Sequence, residues 1–309
     1  MVEACHSAFL TLKMMTLSEL YTDIKNMLTA QFPDPKERGI VSRRIVGGMT
    51  GLEGDDCILH PDRNVDIDHT AVNNVVKRIQ SHEPLEYVFN SAQFLDIELY
   101  TNSNVLIPRP ETEELAVKIF GDIRTRLQSE NRVGDKPLSI LDIGTGSGCI
   151  PVYLAKNFPN CNYYAVDISD AALATARSNA ERHGCNIHFI KADILHCQDV
   201  GELQSLKVDI IVSNPPYVLE SEKSLMQPNV LDYEPETALF VPDDDPLKFY
   251  RAISNFAVGH LNAGGRLYFE INEKKGPQTA DLLKGLGFVG VEVIKDLFGK
   301  DRFVYGKIA

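Results

Sequence analysis

The stretch "LDIGTGSGCI", residues 141–150, leaves an apolar strand-like run, passes through a glycine-rich turn and enters a segment suited to open a helix. Gly144, Gly146 and Gly148 fall at alternate positions. Glycine there permits a tight turn and lets a ligand approach the backbone closely. The dinucleotide fingerprint GxGxxG would need glycine at position 149, where Cys149 stands. Taken alone, the three glycines are equally well explained by a strand-to-helix turn that holds no ligand.

What lies around the turn sets its context. "LSILDIG", "NYYAVD", "IHFIKAD", "VDIIVSN" and "GGRLYFEIN" are apolar runs that end in polar residues. Several are separated by helical segments, "SDAALATARSNAERHG" at 169–184 being the plainest. Alternation of this kind predicts an α/β fold, a doubly wound and mostly parallel sheet. Such sheets bind ligands at the carboxyl ends of their strands, where these polar residues fall.

Asp167 closes the second run, 21 residues after Gly146, and Asp193 closes the third. An acid about 20 residues beyond a glycine turn can accept ribose hydroxyls. Either aspartate alone is equally a helix cap or turn residue. Together they favour S-adenosylmethionine over NAD, because a pyrophosphate would be repelled by the carboxylates. Asp142 is a further candidate, facing the cationic end of the methionine moiety.

The fourth run ends in "SNPPYV", residues 213–218. An amide nitrogen is a poor nucleophile because its lone pair is delocalised. To accept a methyl group it must be held, with its N–H bonds polarised. Asn214 offers a side-chain carbonyl, and Pro215 offers a backbone carbonyl kept out of ordinary ladders by Pro216. The two prolines hold these acceptors rigid. Tyr217 is expected to stack on the planar amide and shield it from water. The alternative is a stiff loop that merely ends a strand.

The N-terminal part has a different pattern. Leu17, Leu20, Tyr21, Ile24, Met27 and Leu28 recur at helical spacing, behind a capping box in "TLSE". Ile40, Val41, Ile45 and Val46 predict a second helix stopped by "GGMTG", and "DHTAVNNVVKRIQ" a third that ends near Pro84. Residues 15–90 are thus expected to form a small helical domain, beginning at Met14 or Met15 after a short disordered extension. Residues 91–107 are expected to be a β-hairpin linker with "TNSN" as its polar turn, and 108–309 the catalytic domain.

Of 309 residues, 44% are hydrophobic and 24% charged, ordinary for a globular protein. The net charge of −12 disfavours direct nucleic-acid binding, which needs clustered Lys and Arg. No run approaches the roughly 18–20 apolar residues of a membrane span. The start of the chain carries only Lys13 as a base, a poor signal or transit peptide. The six cysteines lie far apart with no CxxC pair, and the eight histidines show no metal spacing. No metal is expected, and free thiols in a cytoplasmic setting are.

"SNPPYV" resembles the motif of methyltransferases that act on planar NH2 groups. "LIPRPETEEL" at 106–115, "EPLEYV" at 83–88, "YEPETALF" at 233–240, "GGRLYFEI" at 264–271 and "DLFGKDRFV" at 296–304 resemble, in order and spacing, the HemK-type or PrmC-type glutamine methyltransferases. The resemblance runs from about Leu17 to the end. It implies a Rossmann-like, seven-stranded, S-adenosylmethionine-dependent domain preceded by a helical domain and hairpin that help hold the substrate. The implied substrate is the glutamine of a Gly-Gly-Gln loop in peptide chain release factors. Implied cofactor contacts fall on Gly144, Thr145, Gly146, Ser147, Gly148, Asp167, Asp193, Ile194 and Asn214, and implied substrate contacts on Asn214, Pro215, Pro216 and Tyr217.

Two departures stand out. Phe89-Asn90-Ser91 replaces a stretch where the family often has glycine, but Asn tolerates left-handed backbone. Ile194 stands where many members carry an aromatic beside adenine. Arg109 and Glu111 either orient the substrate loop or pair with each other. Glu234 and Glu236 either line the substrate channel or lie on a solvated loop, the latter being expected, and Asp301 and Arg302 are expected in a turn and salt bridge. Competing readings are a methyltransferase for a ribosomal-protein glutamine, a DNA amino-methyltransferase, and a cofactor-binding module without catalysis. The first keeps the chemistry. The second needs a basic face, and the third leaves the NPPY corner unexplained.

Overall fold

The computed structural model describes residues 12–128 and 136–309. The expected N-terminal extension up to residue 11, and Cys5 within it, lie outside the described residues. The chain divides into two compact units between Phe89 and Asn90.

The first unit contains β1 (Leu12–Thr16), α1 (Leu17–Met27), α2 (Pro35–Thr50), the one-turn α3 (Asp56–Leu59), β2 (Asn64–Asp68), α4 (His69–Gln80) and the one-turn α5 (Leu85–Val88). The capping box forms as expected: Glu19 N–H donates to Thr16 Oγ1 at 3.2 Å, and Thr16 N–H to Glu19 Oε2 at 2.8 Å. Leu17, Leu20, Ile24, Ile45, Val46, Val72, Val76 and Ile79 are buried in one core. The unit is not purely helical, and its first strand begins at Leu12, before Met14. β1 pairs antiparallel with β2, from Leu12 opposite Asp68 to Thr16 opposite Asn64. α2 also runs past Gly47 and Gly48 and stops at Gly51, which adopts φ 70°. A side chain at Gly48 would collide with the Phe89 ring, so that glycine serves close packing and not helix termination.

The second unit opens with a hairpin, β3 (Ser91–Phe94) and β4 (Ile97–Tyr100). Its turn lies at Leu95-Asp96, not at "TNSN". Leu95 takes φ 51°, and its N–H donates to Glu113 Oε1 at 3.0 Å. The polar residues of "TNSN" have other partners: Asn102 Oδ1 accepts Asn104 N–H at 2.9 Å, and Asn102 Nδ2 donates to Thr175 at 3.2 Å. Asn90 adopts φ 52°, the conformation expected of it.

There follow α6 (Pro110–Gln128), β5 (Ser139–Ile143), α7 (Cys149–Asn157), β6 (Asn162–Asp167), α8 (Asp170–Arg182), β7 (His188–Lys191), the one-turn α9 (Gly201–Gln204) and β8 (Val208–Ser213). The short β9 (Val218–Leu219), α10 (Pro228–Leu231) and β10 (Phe240–Val241) come next. The chain closes with α11 (Lys248–His260), β11 (Leu261–Glu270), α12 (Gly276–Gly285), β12 (Val289–Lys295) and β13 (Asp301–Lys307).

Seven strands form one sheet in the order β12-β13-β11-β8-β5-β6-β7. β11, β8, β5, β6 and β7 pair in parallel, and β13 is antiparallel to both its neighbours. Period-two alternation sends Ile140, Ile210 and Val212 to one face and Leu141, Ile143 and Ile211 to the other. The first face packs on α6, α7 and α8, and the second on α11 and α12. With both faces covered, the strands are near-continuous apolar runs, as a buried parallel sheet requires. The chain moves outward from β5 to β7 and then returns to β8 beside β5. This reversal opens a crevice at the strands' carboxyl ends.

Candidate functional site

A cavity of about 370 Å³ lies at that crevice. It is lined by residues at or just past the ends of β5 (Gly144 to Ser147), β6 (Asp167 to Ser169), β7 (Ala192 to Leu195) and β8 (Asn214 to Pro216), with Asp142, Arg109 and Thr112. The volume is within the usual range for small-molecule sites.

The glycine turn needs its glycines. Gly144, Gly146 and Gly148 have φ of 76°, 54° and 78°, a region costly for other residues. Gly144 and Thr145 N–H both donate to Val166 O, at 2.8 and 3.0 Å, which ties the turn to β6. A Cβ on Gly144 or Gly146 would meet open space, so these two leave backbone accessible. A Cβ on Gly148 would sit 3.0 Å from Ala176 Cβ, so this one lets α8 approach. Asn179, fully buried on α8, donates from Nδ2 to Ser147 O and Tyr100 O at 2.9 Å each, and its Oδ1 accepts Tyr100 N–H at 2.7 Å. One side chain thus fastens both the turn and the hairpin.

Three carboxylates stand at successive strand ends in different states. Asp167 accepts Gly146 N–H on Oδ2 and Ser169 N–H on Oδ1, both at 2.9 Å. Burial raises its carboxyl above the ordinary range, and the Ser169, Gly146 and Ile168 N–H groups oppose that rise. A carboxylate has about four lone-pair sites, so both oxygens retain capacity for hydroxyl donors. Asp142 is buried and accepts Thr145 Oγ1–H at 2.6 Å. Burial pushes it up to about 7, the Thr145 bond opposes this, and the Asp167 charge adds to it. Asp193 caps the turn after β7, accepting Leu195 N–H at 2.9 Å, and lies 2.8 Å from His196 Nδ1. Burial raises its carboxyl, but the hydrogen bonds from His196 and Leu195 outweigh that and leave it below its ordinary value.

Asn214 follows β8 and lines the cavity with Pro215 and Pro216. Its Nδ2 donates to Thr112 Oγ1 at 3.1 Å, and Thr112 Oγ1–H donates to Glu270 Oε2 at 2.7 Å. Tyr217 is not among the lining residues. Its hydroxyl donates to Glu270 Oε1 at 3.0 Å, and its carbonyl accepts Asn272 Nδ2 at 3.2 Å. Its ring is therefore turned into the protein behind the corner, away from the stacking position expected of it.

Arg109 lines the cavity and Glu111 does not. The two do not pair. Arg109 donates to Glu234 Oε1 at 2.5 Å, and Glu234 Oε2 accepts Ile107 N–H at 3.1 Å. Glu234 is only 4% exposed, contrary to the solvated loop expected for it, whereas Glu236 is exposed and pairs with Lys223. Asp301 and Arg302 likewise take separate partners, Lys295 for the first and Asp296 with Glu273 for the second.

Thr112, Glu270, Asn179 and His196 are the residues that sequence reasoning missed. Glu270 ends the apolar run "GGRLYFE", so the strand-end rule that singled out Asp167 would have found it. Asn179 is a polar residue on the apolar face of α8, also a visible signal. Thr112 lies inside the quoted motif "LIPRPETEEL", where only the flanking Arg109 and Glu111 were singled out, and His196 carries no signal. Among the described residues no group of three His, Cys, Asp or Glu side chains could hold a metal ion, and no helix is long and apolar enough to cross a membrane.

Residues 135–254 match a family model described as a methyltransferase domain. The chain is 44% identical over 291 residues to the release factor glutamine methyltransferase of Flavobacterium psychrophilum, covering 94% of this chain and 98% of that one. It is 40% identical over 282 residues to the protein of the same name from Bacteroides thetaiotaomicron, covering 91% and 96% of the two chains. With that of Streptococcus pneumoniae it shares 36% over 293 residues, 94% of this chain and 98% of the other. Near-complete coverage extends the likeness through both units, well beyond the segment that the domain model spans, and the chain belongs to the release factor glutamine methyltransferase family.

Proposed function

We propose that this chain methylates the side-chain amide nitrogen of the glutamine in the Gly-Gly-Gln loop of peptide chain release factors, using S-adenosylmethionine, and so acts in translation termination in the cytoplasm. The observation that carries the reading is Asn214 at the mouth of the parallel sheet, on a proline-stiffened corner that lines the same cavity as the glycine turn and Asp167.

The residues present fit the cofactor. Gly144 and Gly146 leave backbone open, Ile168 and Ile194 give apolar walls, and acids face where hydroxyls and a cation would lie. Asp167 would take the ribose hydroxyls on the lone pairs that Gly146 and Ser169 leave free. Asp193 and Ile194 would meet the adenine, and Asp142 with the turn from Gly144 to Gly148 the methionine end. When bound, S-adenosylmethionine supplies a methyl carbon on a sulfonium: the N–C bond forms as the C–S bond breaks, its electron pair stays on sulfur, and one amide proton leaves to water.

The chain's own residues then do the positioning. Asn214 Oδ1 and the Pro215 carbonyl accept the two N–H groups of the substrate amide, which aims its nitrogen and raises its electron density. Pro215 and Pro216 keep those acceptors fixed, so little reorganisation accompanies the reaction. Orientation of this kind can contribute roughly 7–11 kcal/mol. Tyr217 holds the corner from behind. Arg109, tied to Glu234, would shape the substrate side of the cavity, with Glu111 on the neighbouring turn of α6. Residues 15–90 would dock the release factor, with the hairpin region 91–107 assisting. Methyl transfer to a purified release factor, with the modified residue mapped by mass spectrometry, tests this reading. A ribosomal-protein glutamine or a DNA base as the acceptor would contradict it.

A further inference from the structure

Asn214 is symmetric in shape but not in chemistry: rotated by half a turn, it would offer NH2 in place of its carbonyl. The substrate nitrogen also carries N–H groups, so the inverted side chain would set donor against donor. Something must therefore hold the productive orientation.

We propose that Thr112 and Glu270 form a positioning relay that fixes the orientation of the Asn214 amide, with an ionised Glu270 as its anchor. The inference deepens the proposed function and rests on it for the identity of the acceptor. Its logic is proton counting. An ionised carboxylate only accepts, so the single hydroxyl proton of Thr112 must point to Glu270 Oε2, 2.7 Å away. Thr112 Oγ1 can then only accept from Asn214, 3.1 Å away on the other side. Asn214 must present Nδ2 to Thr112, which leaves Oδ1 as the end free to receive an N–H. Tyr217 O–H donates to the second oxygen of Glu270 at 3.0 Å and supports the same charge state. Thr112 is 3% exposed and Glu270 fully buried, so water does not compete for these bonds.

Protonating Glu270 reverses the chain. Its new O–H can donate to Thr112, whose hydroxyl then turns to donate to Asn214 and draws Oδ1 towards it. Burial pushes the Glu270 carboxyl up to about 7; the Thr112 and Tyr217 bonds lower it, Glu111 raises it and Arg302 lowers it again. The other groups that face it stay neutral, since burial raises both the Tyr250 hydroxyl and the Cys149 thiol. The relay therefore changes state near neutral pH, and turnover at saturating cofactor should rise with pH as Glu270 ionises.

Two readouts test this. In full-length protein labelled with 15N-asparagine, the Asn214 side-chain amide resonances should move with pH between about 5.5 and about 8.5 in the native chain and in Thr112→Ser, and by clearly less in Thr112→Val and Glu270→Gln, where only the through-space effect of nearby titrating carboxyls such as Asp142 is left. Thr112→Val should lower kcat at least about tenfold with cofactor affinity nearly unchanged, and Thr112→Ser should restore it to within about threefold. Native-like turnover by Thr112→Val, or Asn214 resonances that ignore pH in the native chain, would overturn the relay. The resonance experiment needs no substrate. Resonances that follow pH as expected would uphold the relay even if the native chain failed to methylate a release factor, and that failure would count against the proposed function alone.

Discussion

The carboxylate of Asp167 accepts the backbone N–H of Gly146 at 2.9 Å, so the acid proposed to hold ribose also fixes the turn that would lie against the cofactor. Its substitution therefore has two effects. Asp167→Ala should weaken S-adenosylmethionine binding by more than the roughly 1.5–3 kcal/mol of one charged hydrogen bond. Asp167→Asn, which keeps an acceptor for one of the two N–H groups, should lose less. Titration calorimetry on the two variants checks the order, and equal affinity to the native chain in both would remove Asp167 from the site.

Asp142 gives a pH prediction with a definite sign. Burial raises its carboxyl from the ordinary value to about 7. A group raised on folding stabilises fully below its unfolded value, near 4, and the contribution is lost as pH climbs through about 7. Asp142→Asn removes that dependence. The stability of the native chain relative to Asp142→Asn should therefore fall between pH 4 and pH 8, by on the order of a few kcal/mol. Cofactor affinity should rise over the same interval, as the carboxylate becomes available to a cation. Denaturant unfolding and calorimetry at several pH values measure both.

The Arg109–Glu234 pair is a structural liability if halved. The Glu234 side chain is 1% exposed, and Arg109→Ala removes the guanidinium paired with it. A loss of about 3 kcal/mol is expected, at the lower end for broken buried pairs because Arg109 keeps partial exposure. The double variant Arg109→Ala with Glu234→Leu should regain part of it. Additive losses in that double-mutant cycle would show that the pair is not coupled.

Gly148 combines a left-handed φ of 78° with a 3.0 Å approach to Ala176. Gly148→Ala should cost more than the roughly 1 kcal/mol of an open left-handed site and should also weaken the cofactor, since the turn must shift. Gly184, at φ 65° with open space around it, is the control: Ala there should cost only the backbone term. Midpoints of chemical unfolding compare the two.

Much of this was legible in the sequence because strands and their carboxyl ends leave local signals. The apolar runs gave five parallel strands, and Gly144, Gly146 and the acids Asp142, Asp167 and Asp193 at their ends converge on one cavity as the fold rule requires, whereas Gly148 does not line it and packs against α8. Relationships across the chain were not legible. Arg109 and Glu234 are 125 residues apart, and Thr112 and Glu270 are 158 apart; no local periodicity links them. Tyr217 shows the same limit in reverse. Its place in "NPPY" pointed to the cavity, but the buried Glu270 on the next strand draws its hydroxyl inward. The hairpin turn was misplaced because "TNSN" has turn composition, whereas tertiary contacts with Thr175 and Glu113 decide where the chain bends.

The most direct measurement is single-turnover methyl transfer from labelled S-adenosylmethionine to a purified release factor, with the product digested and mapped by mass spectrometry, for the native chain and Asn214→Ala side by side. We expect one methyl group on the glutamine of Gly-Gly-Gln with the native chain. With Asn214→Ala we expect a loss of rate comparable to the roughly 2.7–4 kcal/mol of a preorganised catalytic hydrogen-bonding group, while cofactor affinity changes much less. Label on another residue or on nucleic acid, or transfer by Asn214→Ala at the native rate, would contradict the account.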